Sequence, residues 1–80
     1  MKKITVYSAN YCGYCRATKD WLAKHQLSYT ELDITNNEIQ EEFQKYKTPG
    51  IPLILVTDED TGHTIQIRGF NIGELTEALF

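Results

Sequence analysis

Hydrophobic and polar positions switch between two periods along this chain, and the switches mark out seven segments. Ile4 to Ser8, ITVYS, is β-branched and aromatic and reads as a strand. From Gly13 onward Tyr14, Ala17, Trp21, Leu22 and His25 fall at spacings of three, four and seven. That pattern predicts a helix ending near Gln26 with these residues on its inner face. Ser28 to Ile34, SYTELDI, returns to alternation and predicts a second strand, with Leu32 and Ile34 pointing inward. Thr35, Asn36 and Asn37 are cap-forming residues, and Ile39, Phe43 and Tyr46 then keep a helical spacing. Thr48-Pro49-Gly50-Ile51-Pro52 breaks the chain. Pro52 to Thr57, PLILVT, is the continuous apolar run expected of a strand covered on both faces. Asp58 to Gly62, DEDTG, has turn composition. His63 to Arg68 alternates, with Ile65 and Ile67 on one face. After Gly69, the residues Ile72, Leu75, Ala78 and Leu79 form the stripe of a short final helix.

The order is β-α-β-α-β-β-α. A helical link between the first two strands implies a parallel pair with a right-handed crossover, and the last two strands form a hairpin. The expected fold class is α/β, a four-stranded mixed sheet flanked by three helices. Eighty residues, 1–80, are read as a single domain.

Composition narrows the classes of function. With 41% hydrophobic and 24% charged residues, the chain is ordinary for a soluble domain. A net charge of −3 offers no electrostatic reason to bind nucleic acid or an anionic membrane. No apolar run approaches the ~20 residues of a membrane span. MKKITVYSAN has no hydrophobic signal region. The expected location is therefore cytoplasmic, where thiols are kept reduced.

Both cysteines lie in SANYCGYCR. Cys12 falls where the first strand has ended and a helix begins, and Cys15 is one turn further. A sulfur at a helix N-cap faces unsatisfied N–H groups and the positive end of the dipole, which stabilise a thiolate. Cys12 is thus expected as nucleophile and Cys15, set back, as the resolving thiol. Arg16 and Lys19 add positive charge nearby. Structural zinc needs four ligands, and neither His25 nor His63 has ligand spacing to Cys12. A static disulfide across so short a loop gains little and suits the wrong compartment. C-x-x-C beside a βαβ pattern reads as redox chemistry.

YCGYC after the first strand, TPGIP ending at Pro52 before the buried strand, and IRGFN before the last helix together resemble the glutaredoxin family, over the whole chain. The resemblance implies the thioredoxin fold and a dithiol–disulfide oxidoreductase whose dithiol needs no bound cofactor. It makes Pro52 a cis-proline packed against the cysteines and leaves the backbone of Ile51 free to pair with an extended substrate. Tyr14, Gly69, Phe70 and Asn71 match positions that contact substrate or glutathione, and Asn71 is also read as the N-cap of the last helix. Three departures stand out. Gly13 replaces the family's usual proline. Ser8, Ala9 and Asn10 offer no lysine before the first cysteine. Asn71 stands where an aspartate usually holds glutathione. Ala17-Thr18-Lys19 and Gly69-Phe70 are similar to the glutaredoxin-like electron donors of ribonucleotide reductase. The implied partners are protein disulfides, ribonucleotide reductase among them, with glutathione or thioredoxin reductase as reductant and the chain acting as a monomer. The alternative is a glutathione-dependent dimer bridged by a [2Fe–2S] cluster.

Overall fold

A computed structural model describes residues 2–80. The elements are β1 (Lys2–Ser8), α1 (Gly13–Lys24), β2 (Thr30–Asp33), α2 (Asn37–Gln44), β3 (Leu53–Asp58), β4 (Thr64–Arg68) and α3 (Ile72–Leu79). The sheet order is β2-β1-β3-β4, with β1 and β2 parallel and the other two pairs antiparallel. Leu32, Tyr7, Leu53 and Arg68 line up across all four strands. This row lies at the end of the sheet where β1 stops and α1 starts.

The sheet separates two apolar layers. Ile4, Val6, Ile54, Val56 and Ile67 pack with Leu22 of α1 and Leu75 and Ala78 of α3. Tyr7, Leu53 and Leu55 pack on the opposite face with Phe43 of α2. β3 feeds both layers in alternation, which is why its sequence is apolar at every position from Leu53 to Val56.

Three details differ from the sequence pattern. α1 stops at Lys24, because His25 caps it and Gln26 turns with φ 59°. Its buried face is Cys15, Thr18 and Leu22, whereas Tyr14 is 71% exposed. Thr18 can be buried because its hydroxyl donates to the Tyr14 carbonyl at 2.9 Å. α2, by contrast, starts as the cap-forming run implies, at Asn37 with Asn36 as its cap accepting from the N–H groups of Glu38 and Ile39. In β4, Ile67 is buried but Ile65 is 42% exposed, since β4 is the sheet edge.

Candidate active site

Ser8 ends β1, and a tight turn follows in which the Cys12 N–H donates to the Ala9 carbonyl at 3.1 Å. Cys12 is extended, with φ −99° and ψ 112°, and is the N-cap of α1. Its Sγ accepts the backbone N–H of Cys15 at 3.1 Å. The sulfur therefore sits where orphan N–H groups and the helix dipole favour negative charge. Cys15 lies in the first turn and is fully buried, while Cys12 is only partly covered. The two are joined in a disulfide, with their Cα atoms 5.2 Å apart.

The Ile51–Pro52 peptide bond is cis. Pro52 is buried and Ile51 half-buried, and the Ile51 carbonyl oxygen lies 4.0 Å from Cys12 Sγ. The Gly69 N–H donates to the Pro52 carbonyl at 2.9 Å, tying the end of β4 to this turn. Gly69 has φ 78°, a left-handed conformation suited to glycine. Phe70 is half-buried against the α1–α3 layer. Asn71 caps α3, its Oδ1 accepting from the Glu74 N–H at 3.1 Å. The structure thus gathers Cys12, Cys15, Ile51, Pro52 and Gly69 at one end of the sheet. Tyr11 and Tyr14 stand exposed beside the cysteines, at 73% and 71%.

Charge near the site is arranged differently from the sequence expectation. Lys19 does not stand free: its Nζ donates to Glu31 Oε2 at 2.6 Å. The same oxygen accepts from the hydroxyl of Ser8, a fully buried side chain, at 2.6 Å. Hydrogen bonds from Lys19 and then Ser8 hold the Glu31 carboxyl below its ordinary range. This clamp joins β1, β2 and α1, the elements that lead to and carry the cysteines. The buried roles of Ser8 and Thr18 were missed in the sequence pattern. The only signal was the spacing of Thr18 at i+3 from Cys15. On the other face, burial, Tyr46 and Glu42 push the Tyr7 phenol upward, so it remains a donor to Glu42 at 3.3 Å.

Among the described residues, no three His, Cys, Asp or Glu side chains converge on a point that could hold a metal ion. With Cys15 closed inside the fold, one chain presents a single accessible sulfur. These residues do not fit an iron–sulfur cluster held by one copy of the chain.

The comparisons with known proteins agree with this geometry. The Glutaredoxin family model matches residues 4–60. The regulatory protein MgsR of Bacillus subtilis is 34% identical over 79 residues, covering 94% of this chain and 60% of that protein. The glutaredoxin-like protein NrdH of Lactococcus lactis subsp. cremoris is 42% identical over 31 residues, 39% of this chain and 43% of its own length. The chain therefore spans less than two thirds of the length of these curated relatives. The NrdH-redoxin structure from Escherichia coli superposes with a TM-score of 0.79 at 20% identity, covering 94% of this chain and 92% of that one. The superposition shows the thioredoxin fold, and the family match over residues 4–60 shows that this chain belongs to the glutaredoxin family.

Proposed function

We propose that this chain, acting as one unit, reduces disulfides of other proteins through Cys12 and Cys15. The observation that carries the reading is the asymmetry of the two sulfurs: Cys12 is accessible and accepts an N–H at a helix start, whereas Cys15 is fully buried. In the reduced protein the Cys12 thiolate attacks one sulfur of the substrate disulfide, and the other sulfur leaves as a thiolate that takes a proton from water. The Cys15 sulfur then loses its proton and attacks Cys12 Sγ, so the second substrate thiolate leaves. Two electrons pass to the substrate, and the Cys12–Cys15 disulfide remains. The backbone of Ile51, beside the cis-proline, pairs with the substrate as an added strand. Tyr14 and Phe70 flank it, with Gly69 and Asn71 shaping the turn behind.

The reductant of that disulfide is thioredoxin reductase, and ribonucleotide reductase is the electron acceptor. Several features support this over glutathione. Ser8 and Ala9, before the first cysteine, are buried and uncharged, and the Asn71 side chain is used in capping. The E. coli structural neighbour is described as having a thioredoxin-like activity profile. The chain works as a monomer in a reducing compartment, and no described helix is long and apolar enough to cross a membrane. The test compares reduction of the disulfide by NADPH with thioredoxin reductase against reduction by glutathione. Fast reduction by the reductase with slow reduction by glutathione is expected. The reverse order would overturn the reductant, and no reduction by either would overturn the redox role.

A further inference from the structure

A short chain of hydrogen bonds runs from the core to the reactive sulfur. Thr18 is fully buried on the inner face of α1. Its hydroxyl donates to the Tyr14 carbonyl at 2.9 Å. That carbonyl and the N–H of Cys15 are the two ends of one peptide group. The same N–H donates to Cys12 Sγ at 3.1 Å. Among the described residues it is the one donor to that sulfur, since the Ile51 carbonyl, 4.0 Å away, can only accept. The Cys12 sulfur is thus held by a single peptide N–H whose far end is held by Thr18.

α-Helical geometry assigns the Tyr14 carbonyl the main-chain N–H four residues on. The Thr18 hydroxyl fills the second lone pair of that oxygen. A donor on the oxygen draws electrons along the conjugated O–C–N unit and leaves the N–H more positive, so bonds linked in this way strengthen one another. We propose that Thr18 is a positioning residue for the dithiol chemistry: through the Tyr14–Cys15 peptide it strengthens the N–H that stabilises the Cys12 thiolate. The inference rests on the dithiol reading above and deepens it. The ionisable groups nearest Cys12 along the chain are Tyr11, Tyr14, Cys15 and Arg16, and Lys19 is held by Glu31. The Ile51–Pro52 turn and the Gly69–Asn71 turn bring none. A change at Thr18 leaves all of these charges in place. A hydrogen bond to a charged group moves an acidity by roughly one to two pH units, and a cooperative partner adds about 10–30% to it. Loss of the hydroxyl should therefore raise the Cys12 midpoint by about 0.3, a factor of about two in the acidity constant.

The test alkylates the reduced native protein, Thr18→Val and Thr18→Ser with iodoacetamide across a range of pH, and mass spectrometry follows the adduct on the accessible Cys12. Thr18→Val keeps the branched shape and removes the hydroxyl, whereas Thr18→Ser keeps the hydroxyl and removes a methyl group. The midpoint should rise by about 0.3 in Thr18→Val and stay at the native value in Thr18→Ser. Equilibration with dithiothreitol at neutral pH should move about twofold toward the protein disulfide in Thr18→Val, about 9 mV for a two-electron couple. A purely structural role would rank the variants the other way, because Thr18→Ser leaves a methyl-sized gap in the core and is the less stable in thermal unfolding. Should Thr18→Val fail to fold, Thr18→Ala takes its place against the same serine control. A Thr18→Val midpoint within about 0.1 of the native one, or a Thr18→Ser midpoint that rises with it, would overturn the inference and leave Thr18 as a satisfied core hydroxyl. Either result, with a native midpoint well below the ~8.5 of free cysteine, would leave the dithiol reading standing. A native midpoint at that ordinary value would overturn the activated nucleophile itself, and this inference with it.

Discussion

Replacing Glu31 by alanine strands a buried hydroxyl, and the cost can be worked from the clamp. Ser8 is fully buried, and among the described residues its hydroxyl has one side-chain partner, Glu31, at 2.6 Å. A buried donor left without a partner costs about 1–3 kcal/mol. The Lys19–Glu31 pair is lost too, but its side chains are 23% and 42% exposed, so solvent screening limits it to about 0.2–1 kcal/mol. The sum is about 2 kcal/mol, equivalent to a fall in Tm of about 8–16 °C for a chain of this size. Urea unfolding of the oxidised protein, followed by far-ultraviolet circular dichroism, measures it. Adding Ser8→Ala removes the orphaned hydroxyl, so the double variant should be more stable than the two single losses predict, by about 1 kcal/mol. The pH dependence has a definite sign. The Glu31 carboxyl is depressed in the folded state, so its contribution is complete above the unfolded value of ~4.3 and is lost as pH falls through the folded value. The stability gap between the native protein and Glu31→Gln should therefore narrow in acid. A Glu31→Ala loss under about 0.5 kcal/mol, or strict additivity with Ser8→Ala, would refute the clamp.

Further outcomes follow from the site and its turns. Thiolate absorbance of the reduced protein should titrate well below the ~8.5 of free cysteine, and this titration should vanish in Cys12→Ser. Gly13→Pro should stabilise the fold by about 0.5–1 kcal/mol in thermal unfolding. Gly13 is the first helical residue, a Cβ there meets nothing within 4 Å, and the extended Cys12 already has the conformation a following proline requires. Gly69→Ala should cost about 1 kcal/mol or more at φ 78° and slow peptide reduction, because the turn is bonded to Pro52. Asn71→Ala should cost about 1 kcal/mol through the lost cap of α3, read by urea unfolding.

Much of the architecture was legible because period and punctuation agree. The apolar run Leu53 to Val56 announces a strand covered twice, and Asn36 and Asn71 are cap residues by type and by place. The inner face of α1 was not legible. Tyr14 looks like core by its spacing, but the N-cap at Cys12 turns Cys15 inward and leaves Tyr14 outside. Thr18 hides its polarity in a bond to the backbone, which no apolar count detects. The cysteine pair and Pro52 were visible as motifs. The fate of Lys19 was not, since its partner Glu31 is twelve residues away on an edge strand. Ile65 and Ile67 look alike in sequence and differ because only one is covered.

The central claim is the division of labour between the two sulfurs. The most direct measurement is mass spectrometry of Cys15→Ser and Cys12→Ser after mixing each with a disulfide-linked peptide. The account predicts a stable mixed disulfide on Cys12 in the Cys15→Ser variant and almost none on Cys15 in the other. Equal trapping on both sulfurs, or trapping on Cys15 alone, would contradict it.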